Sequence, residues 1–216
     1  MNTNHNKHEV LSFFDQNKVL IFSTLGVAVA IVLAIGLWQD HKSKRSTEAF
    51  NALYEAQSKA KPAIAQKNAP EAEKIFSEVT SNYSGTRAAF EAQLQVGDLY
   101  MDAGNFVEAA KGYEKAVALA TDTFSKILSL YNVGIANESA KKFQEAVISY
   151  EDALKTQGSD FLKPELLMAQ GRCYESLNQG DKAIAVYKTV EEKYPNRTYY
   201  SGAASAYEKQ LKAKSI

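Results

Sequence analysis

One cysteine, three histidines and no excess charge leave this chain little chemistry to work with, and each shortage closes a class of function. A lone Cys173 forms no internal disulfide. Between Gly171 and Tyr174 on a predicted helix it reads as a small buried hydrophobe, compatible with either redox compartment. Lysine plus arginine total 25, and so do aspartate plus glutamate. There is no basic field to draw nucleic acid and no Lys/Arg stripe interleaved with stacking aromatics. His5 and His8 sit in the N-terminal tail and His41 lies beyond an apolar run, so a third metal ligand is missing. The glycines are isolated, which removes a phosphate-cradling loop. No serine stands in a nucleophile elbow. Glu71, Glu73 and Glu78, and the pair Glu191-Glu192, read as solvated helix faces rather than paired catalytic carboxylates. No catalytic residue, cofactor, metal or small-molecule substrate is expected, and the chain does not read as an enzyme.

What the chain does have is a period of 37 residues. Gly97, Gly134 and Gly171 are spaced by it, as are Ala109, Ala146 and Ala183, and Tyr113, Tyr150 and Tyr187. In each copy a small residue precedes an aromatic by four positions, placing both on one helical face. A fixed period of this size marks stacked helix pairs, none able to bury its apolar face alone. Ala60, Ala72 and Phe76 extend the register upstream into a degenerate first repeat from about Ser46 to Tyr83. Most of the tyrosines and phenylalanines stand at such core positions and are read as packing. Helices are predicted over 88–103, 106–120, 125–140, 143–157, 163–177 and 180–194. The breaks fall at Gly104-Asn105, at 157–160 and at 178–181. A last helix, about 199–212, turns Ala203, Ala204 and Tyr207 toward the stack and caps it with a polar outer face.

These residues resemble the tetratricopeptide family. Val96-Gly97-x2-Tyr100 followed by Ala109-x3-Tyr113 matches its pattern, as do Gln170-Gly171-x2-Tyr174, Ala183-x3-Tyr187 and Pro195. Asn137 replaces one expected aromatic and Gln93 another. The resemblance implies an all-α solenoid of helical hairpins whose first helices line a concave groove. That groove would carry Glu91, Leu94, Asp98 and Met101, then Leu128, Tyr131, Ile135 and Glu138, then Met168, Arg172 and Glu175. Apolar and methionine side chains ringed by acids suit extended or helical peptides. The family's clamp for a peptide's terminal carboxylate needs Lys, Arg and Asn. Only Arg172 and Asn132 are of that kind here, so carboxylate capture is disfavoured.

The second signal is Val19 to Trp38, twenty residues without a charge, long enough to cross a bilayer as a helix. Trp38 stands where an interfacial aromatic belongs. The run is followed by no small-residue cleavage site, which separates it from a signal peptide. It reads as an uncleaved anchor. The expected organisation is a tail over 1–18, the anchor over 19–38, and a connecting helix with the degenerate first repeat over 39–84. Three repeats over 85–196 and a capping helix over 197–216 complete it. Lys7 and Lys18 precede the span while Lys42, Lys44 and Arg45 follow it. That charge balance leans toward a cytoplasmic repeat domain, but it is narrow, and long domains cross membranes largely regardless of charge.

The layout also resembles the YfgM family of bacterial inner-membrane proteins, ancillary to the Sec translocon. The shared features are Phe13-Phe14 and Asn17-Lys18 ahead of one span, a tryptophan at its end, Ser46-x2-Ala49-Phe50 after it, and the Ser215-Ile216 terminus. That resemblance implies a periplasmic repeat domain whose partners are the Sec translocon and periplasmic chaperones. The expected function is a membrane-anchored interaction scaffold. An envelope-complex or cell-division adaptor and a cytoplasm-facing chaperone cofactor or regulator are the competing readings.

Overall fold

The computed structural model describes residues 3–214; the side chains of the first twelve residues and of Phe14, Asp15, Ile21 and Lys214 lie outside the described set. His5, His8, Phe14 and the Ser215-Ile216 terminus therefore carry no structural statement. Among the described residues every regular element is a helix. They are α1 (Thr3–Ala65), α2 (Ala69–Asn82), α3 (Arg87–Asp102), α4 (Phe106–Leu119), α5 (Thr123–Ser139), α6 (Phe143–Lys155), α7 (Lys163–Ser176), α8 (Gly180–Lys193) and α9 (Thr198–Lys214). A 3-10 turn, Ser159–Phe161, precedes α7. The chain divides into two compact units, Met1–Thr47 and Glu48–Ile216.

In the first unit the helical run from Val19 to Trp38 is uncovered. Twelve large apolar side chains there, Val19 through Trp38, are each 49% or more exposed. A core helix would have buried at least one face of them.

The second unit is a ladder of hairpins: from α2 to α9 each helix packs on the next in chain order, and Ala49, Leu53, Ala56 and Ala60 of α1 share a core with α2. Ala109, Ala146 and Ala183 are fully buried, as are Tyr150 and Tyr187, with Tyr113 nearly so. The glycine and tyrosine series turn out to be two halves of one contact. A Cβ built on Gly97, Gly134 or Gly171 would lie 2.4, 2.2 or 2.3 Å from the ring of Tyr113, Tyr150 or Tyr187. Each first helix therefore leaves one side chain out so that the aromatic of its own second helix can lie against its backbone. The phenol then donates to a carboxylate on that same first helix: Tyr113 to Asp98 at 2.7 Å and Tyr150 to Glu138 at 2.9 Å. Tyr187 does the same to Glu175. Where the family aromatic is replaced by Gln93, its side-chain amide donates to the Gly112 carbonyl at 3.2 Å.

The turns inside the hairpins repeat as well. Lys67, Gly104, Lys141 and Asn178 all have φ between 53° and 74°. In each turn the next residue's N–H reaches back five positions, as from Asn105 to Tyr100 at 2.9 Å and from Lys142 to Asn137 at 2.8 Å. This is the Schellman closure of a helix, with a left-handed residue after its last turn. It ends α3, α5 and α7 one residue sooner than the apolar pattern predicts. Only one of the four positions is glycine. Relieving the Cβ clash of a left-handed lysine outweighs the added freedom of the unfolded chain. Lys141→Gly should therefore stabilise the stack by about 0.5 kcal/mol. The urea midpoint should rise with an unchanged slope, while Lys141→Ala should not raise it.

α9 packs on α8, with Ala204 fully buried and the Tyr207 ring stacked 5.4 Å from that of Tyr187. It enters in the register of a first helix but ends the ladder.

Candidate functional site

The residues expected to line a groove recur in one register on the first helices α3, α5 and α7, and successive first helices are tied to each other. Tyr131 of α5 donates to Glu165 of α7 at 3.1 Å. Arg172 of α7 reaches back to Glu138 of α5, its Nε at 3.1 Å and Nη2 at 3.4 Å. One repeat earlier, Arg87 Nη1 meets Asp122 Oδ2 at 3.2 Å and Ser125 Oγ at 3.0 Å.

The eleven expected groove residues divide into three groups. Leu128, Tyr131 and Ile135 are half-buried, with the Tyr131 ring 6.0 Å from that of Tyr150. Leu94 and Met101 are also half-buried, but both pack against the core of the first repeats and owe part of their apolar character to it. The charged members are mostly committed inside the protein. Asp98, Glu138 and Glu175 accept the buried phenols, Glu138 also holds Arg172, and Glu91 pairs with Arg87 at 2.8 Å. Burial lifts the Asp98 carboxyl above its ordinary range, against the lowering effect of the Tyr113 hydroxyl. Met168 departs from expectation. It is only 5% exposed, enclosed with Ala183, Tyr187, Val190 and Ala204. α9 supplies Ala204 to that cluster, so the same register position that is half-open at Leu94 and Tyr131 is closed in the last repeat.

Two members of this face carried no motif to mark them. Glu165 accepts from Tyr131 and also engages the Tyr200 hydroxyl of α9. Tyr54 shares the register of Leu128 one repeat before Glu91 and is among the most exposed aromatics of the stack. Cys173 is fully buried, and burial pushes its thiol up to about 12, which makes it a packing residue rather than a nucleophile. The face thus offers a half-open apolar strip at Leu128, Tyr131 and Ile135, bordered by carboxylates that are already hydrogen-bonded. Such a surface has contact area and fixed geometry, and no free acid–base pair.

A profile of the tetratricopeptide repeat-like domain family matches residues 11–205. No curated protein matches the chain. Solved structures share its fold. BtubC (BKLC) from P. vanneervenii is 16% identical, with 79% of this chain and 87% of that one covered at a TM-score of 0.52. Residues 41 to the end of MamA from Desulfovibrio magneticus RS-1 are 13% identical, with 75% and 94% covered at 0.51. The nearly identical TPR-like repeats of a kinesin light chain from Podosopora anserina are 18% identical, with 74% and 93% covered at 0.50. At these identities the likeness is one of fold alone.

Proposed function

Because the chain belongs to the tetratricopeptide repeat-like domain family, we propose that it is a membrane-anchored, non-enzymatic scaffold whose first-helix face docks protein partners in the bacterial envelope. The observation that carries this reading is the contrast between the two units. The repeat stack gathers its apolar side chains into buried clusters and leaves only scattered ones exposed, whereas Val19 to Trp38 leaves twelve in one run uncovered. Twenty helical residues extend about 30 Å, the thickness of a hydrocarbon core. The resemblance to the YfgM family supports the finer reading: a cytoplasmic tail, a periplasmic repeat domain, and service beside the Sec translocon with periplasmic chaperones. Lys42, Lys44 and Arg45 favour the opposite orientation, with the domain in the cytoplasm. A phosphatase fused after Ile216 decides between them. It should be active, and protease added to spheroplasts should remove the domain. A protected domain and an inactive fusion would exclude the periplasmic assignment and the translocon role with it.

The docking face has its own test. Leu128 and Ile135 are the half-buried apolar residues of the face that belong to no core cluster. Leu128→Asp combined with Ile135→Asp should abolish partner recovery by crosslinking from native membranes while helical content stays near wild type. Ile148→Asp, on an exposed position of α6, should leave recovery unchanged. Full recovery with the double variant would remove the face from the proposal.

A further inference from the structure

The last helix is held by a different face from the one that seats its predecessor. α7 joins the core that it shares with α6 through Leu166, Ala169 and Cys173. One period of 37 residues further on, those positions hold Ala203, Ala206 and Gln210, and the last two are exposed. α9 turns its neighbouring face inward instead. Tyr200, Ala204, Tyr207 and Leu211 follow one another at spacings of four, three and four, which lines them up along one side of a helix. Tyr200, Ala204 and Leu211 join the cluster of Met168, Tyr187 and Val190, and the Tyr207 ring stacks on that of Tyr187. The hold is slight. Each of α2 to α8 buries three or more apolar side chains, whereas among the described residues of α9 only Ala204 is a buried apolar one. Few buried apolar contacts mark an element that opens ahead of the rest of a fold.

What α9 covers belongs to the first helices. Met168, the register mate of Leu94 and Tyr131, is 5% exposed and shares its cluster with Ala204. Glu165 accepts from Tyr131 and engages the Tyr200 hydroxyl, so one carboxylate of α7 holds a phenol of α5 and a phenol of α9. The seat of α9 therefore begins where the half-open strip of Leu128, Tyr131 and Ile135 ends. An apolar cleft that takes one side of a helix, with a polar anchor at its end, is the geometry by which a groove binds an amphipathic helix.

We propose that the cleft of α7 and α8 covered by α9 is a helix-docking site at the end of the first-helix face, and that α9 occupies it as a displaceable strap. The partner is an amphipathic helix that repeats the pattern of α9: two aromatics seven residues apart, a small residue four after the first, and a hydroxyl on the first to reach Glu165. Release of α9 opens Met168 and joins the cleft to the strip, so the partner displaces α9 to gain the full length of the face. This rests on the proposed docking role of that face.

The probe is a fluorescein-labelled peptide of residues 197–214, titrated by anisotropy against the full chain in detergent. Ala204→Asp puts a charge into the contact and frees the seat. The peptide should bind that variant about tenfold more tightly than it binds the wild type, where the chain's own α9 holds the seat for most of the time. A peptide carrying the same change should bind neither. Partner recovery by crosslinking from native membranes should rise several-fold with Ala204→Asp. Circular dichroism checks that the stack stays helical. If Ala204→Asp unfolds it, Tyr200→Phe combined with Tyr207→Ser loosens α9 without a buried charge and is read in the same way. Peptide binding that is absent, or equal in the folded variant and the wild type, overturns the proposal. So does partner recovery that stays at the wild-type level, an outcome that leaves the docking face and its test with Leu128→Asp and Ile135→Asp untouched. Full recovery in that double variant removes the face, and this proposal with it. A wild-type chain that is dimeric and becomes monomeric on Ala204→Asp assigns the cleft to α9 of a second copy, and it overturns the proposal too.

Discussion

Gly134→Ala is expected to cost the repeat stack about 3 kcal/mol, at the upper end of what a single added methyl does in a packed interior. The new Cβ would stand 2.2 Å from Tyr150 Cε1 and 2.5 Å from its Cδ1, inside any permitted contact. The ring has little freedom to yield. It is fully buried, its hydroxyl is held by Glu138, and the Tyr131 ring lies 6.0 Å away. The helix itself would gain, because alanine is about 1 kcal/mol better than glycine in a helix interior. A large net loss would therefore be all the more telling. Urea unfolding of the detergent-solubilised chain measures it, and a double-mutant cycle isolates its cause. In a Tyr150→Leu background the same Gly134→Ala change should cost little or even stabilise. If it costs as much with the ring removed, the glycine is serving the backbone and not the tyrosine. Gly97 and Gly171 face Tyr113 and Tyr187 in the same way, so Gly171→Ala should repeat the result one hairpin along.

That pairing shows where sequence reading stops. The two series, glycine and tyrosine, are both visible at a spacing of 37. Their complementarity is not, because the partners lie sixteen residues apart on different helices and meet only after the hairpin closes. The hairpin turns teach the same lesson differently. Gly104 announces a left-handed residue, and its register mates Lys67, Lys141 and Asn178 adopt the same φ. Two of those three are lysines, and lysine gives no local sign of a left-handed conformation. The register of the expected groove residues is legible in the sequence, their chemistry less so. Glu138 and Glu175 are claimed by buried phenols, since the Tyr150 and Tyr187 hydroxyls need acceptors and the first helix supplies the nearest ones. Met168 follows the periodicity of Leu94 and Tyr131, yet α9 shuts it in. Periodicity reports which face a side chain occupies, and what packs on that face at the end of the ladder is a tertiary matter.

The phenol–carboxylate contacts make the stack's stability depend on alkaline pH in a definite direction. Burial, and then the Glu73 carboxylate, push the Tyr100 phenol up to about 12. Burial and Asp98, Glu138 or Glu175 raise the Tyr113, Tyr150 and Tyr187 phenols as well. A phenol in the unfolded chain ionises near 10, so between that pH and its folded value the unfolded state holds fewer protons than the native one. The stability each phenol contributes is therefore fully present below about pH 10 and is lost as pH rises through the folded value, at about 1.4 kcal/mol per pH unit for each phenol. With several raised phenols in one stack the losses add. The urea midpoint should hold steady from pH 8 to 9.5 and fall steeply above 10, with phenolate absorbance and loss of helix appearing together. Tyr150→Phe separates this from general alkaline damage. At pH 8 it should be less stable than wild type by about 1 kcal/mol, for the hydrogen bond lost to Glu138. Near pH 11 the two proteins should draw level, because the variant no longer has that proton to lose. Parallel curves at every pH, or phenols that titrate near pH 10 while the helices stay intact, would mean that these hydroxyls are not held as described.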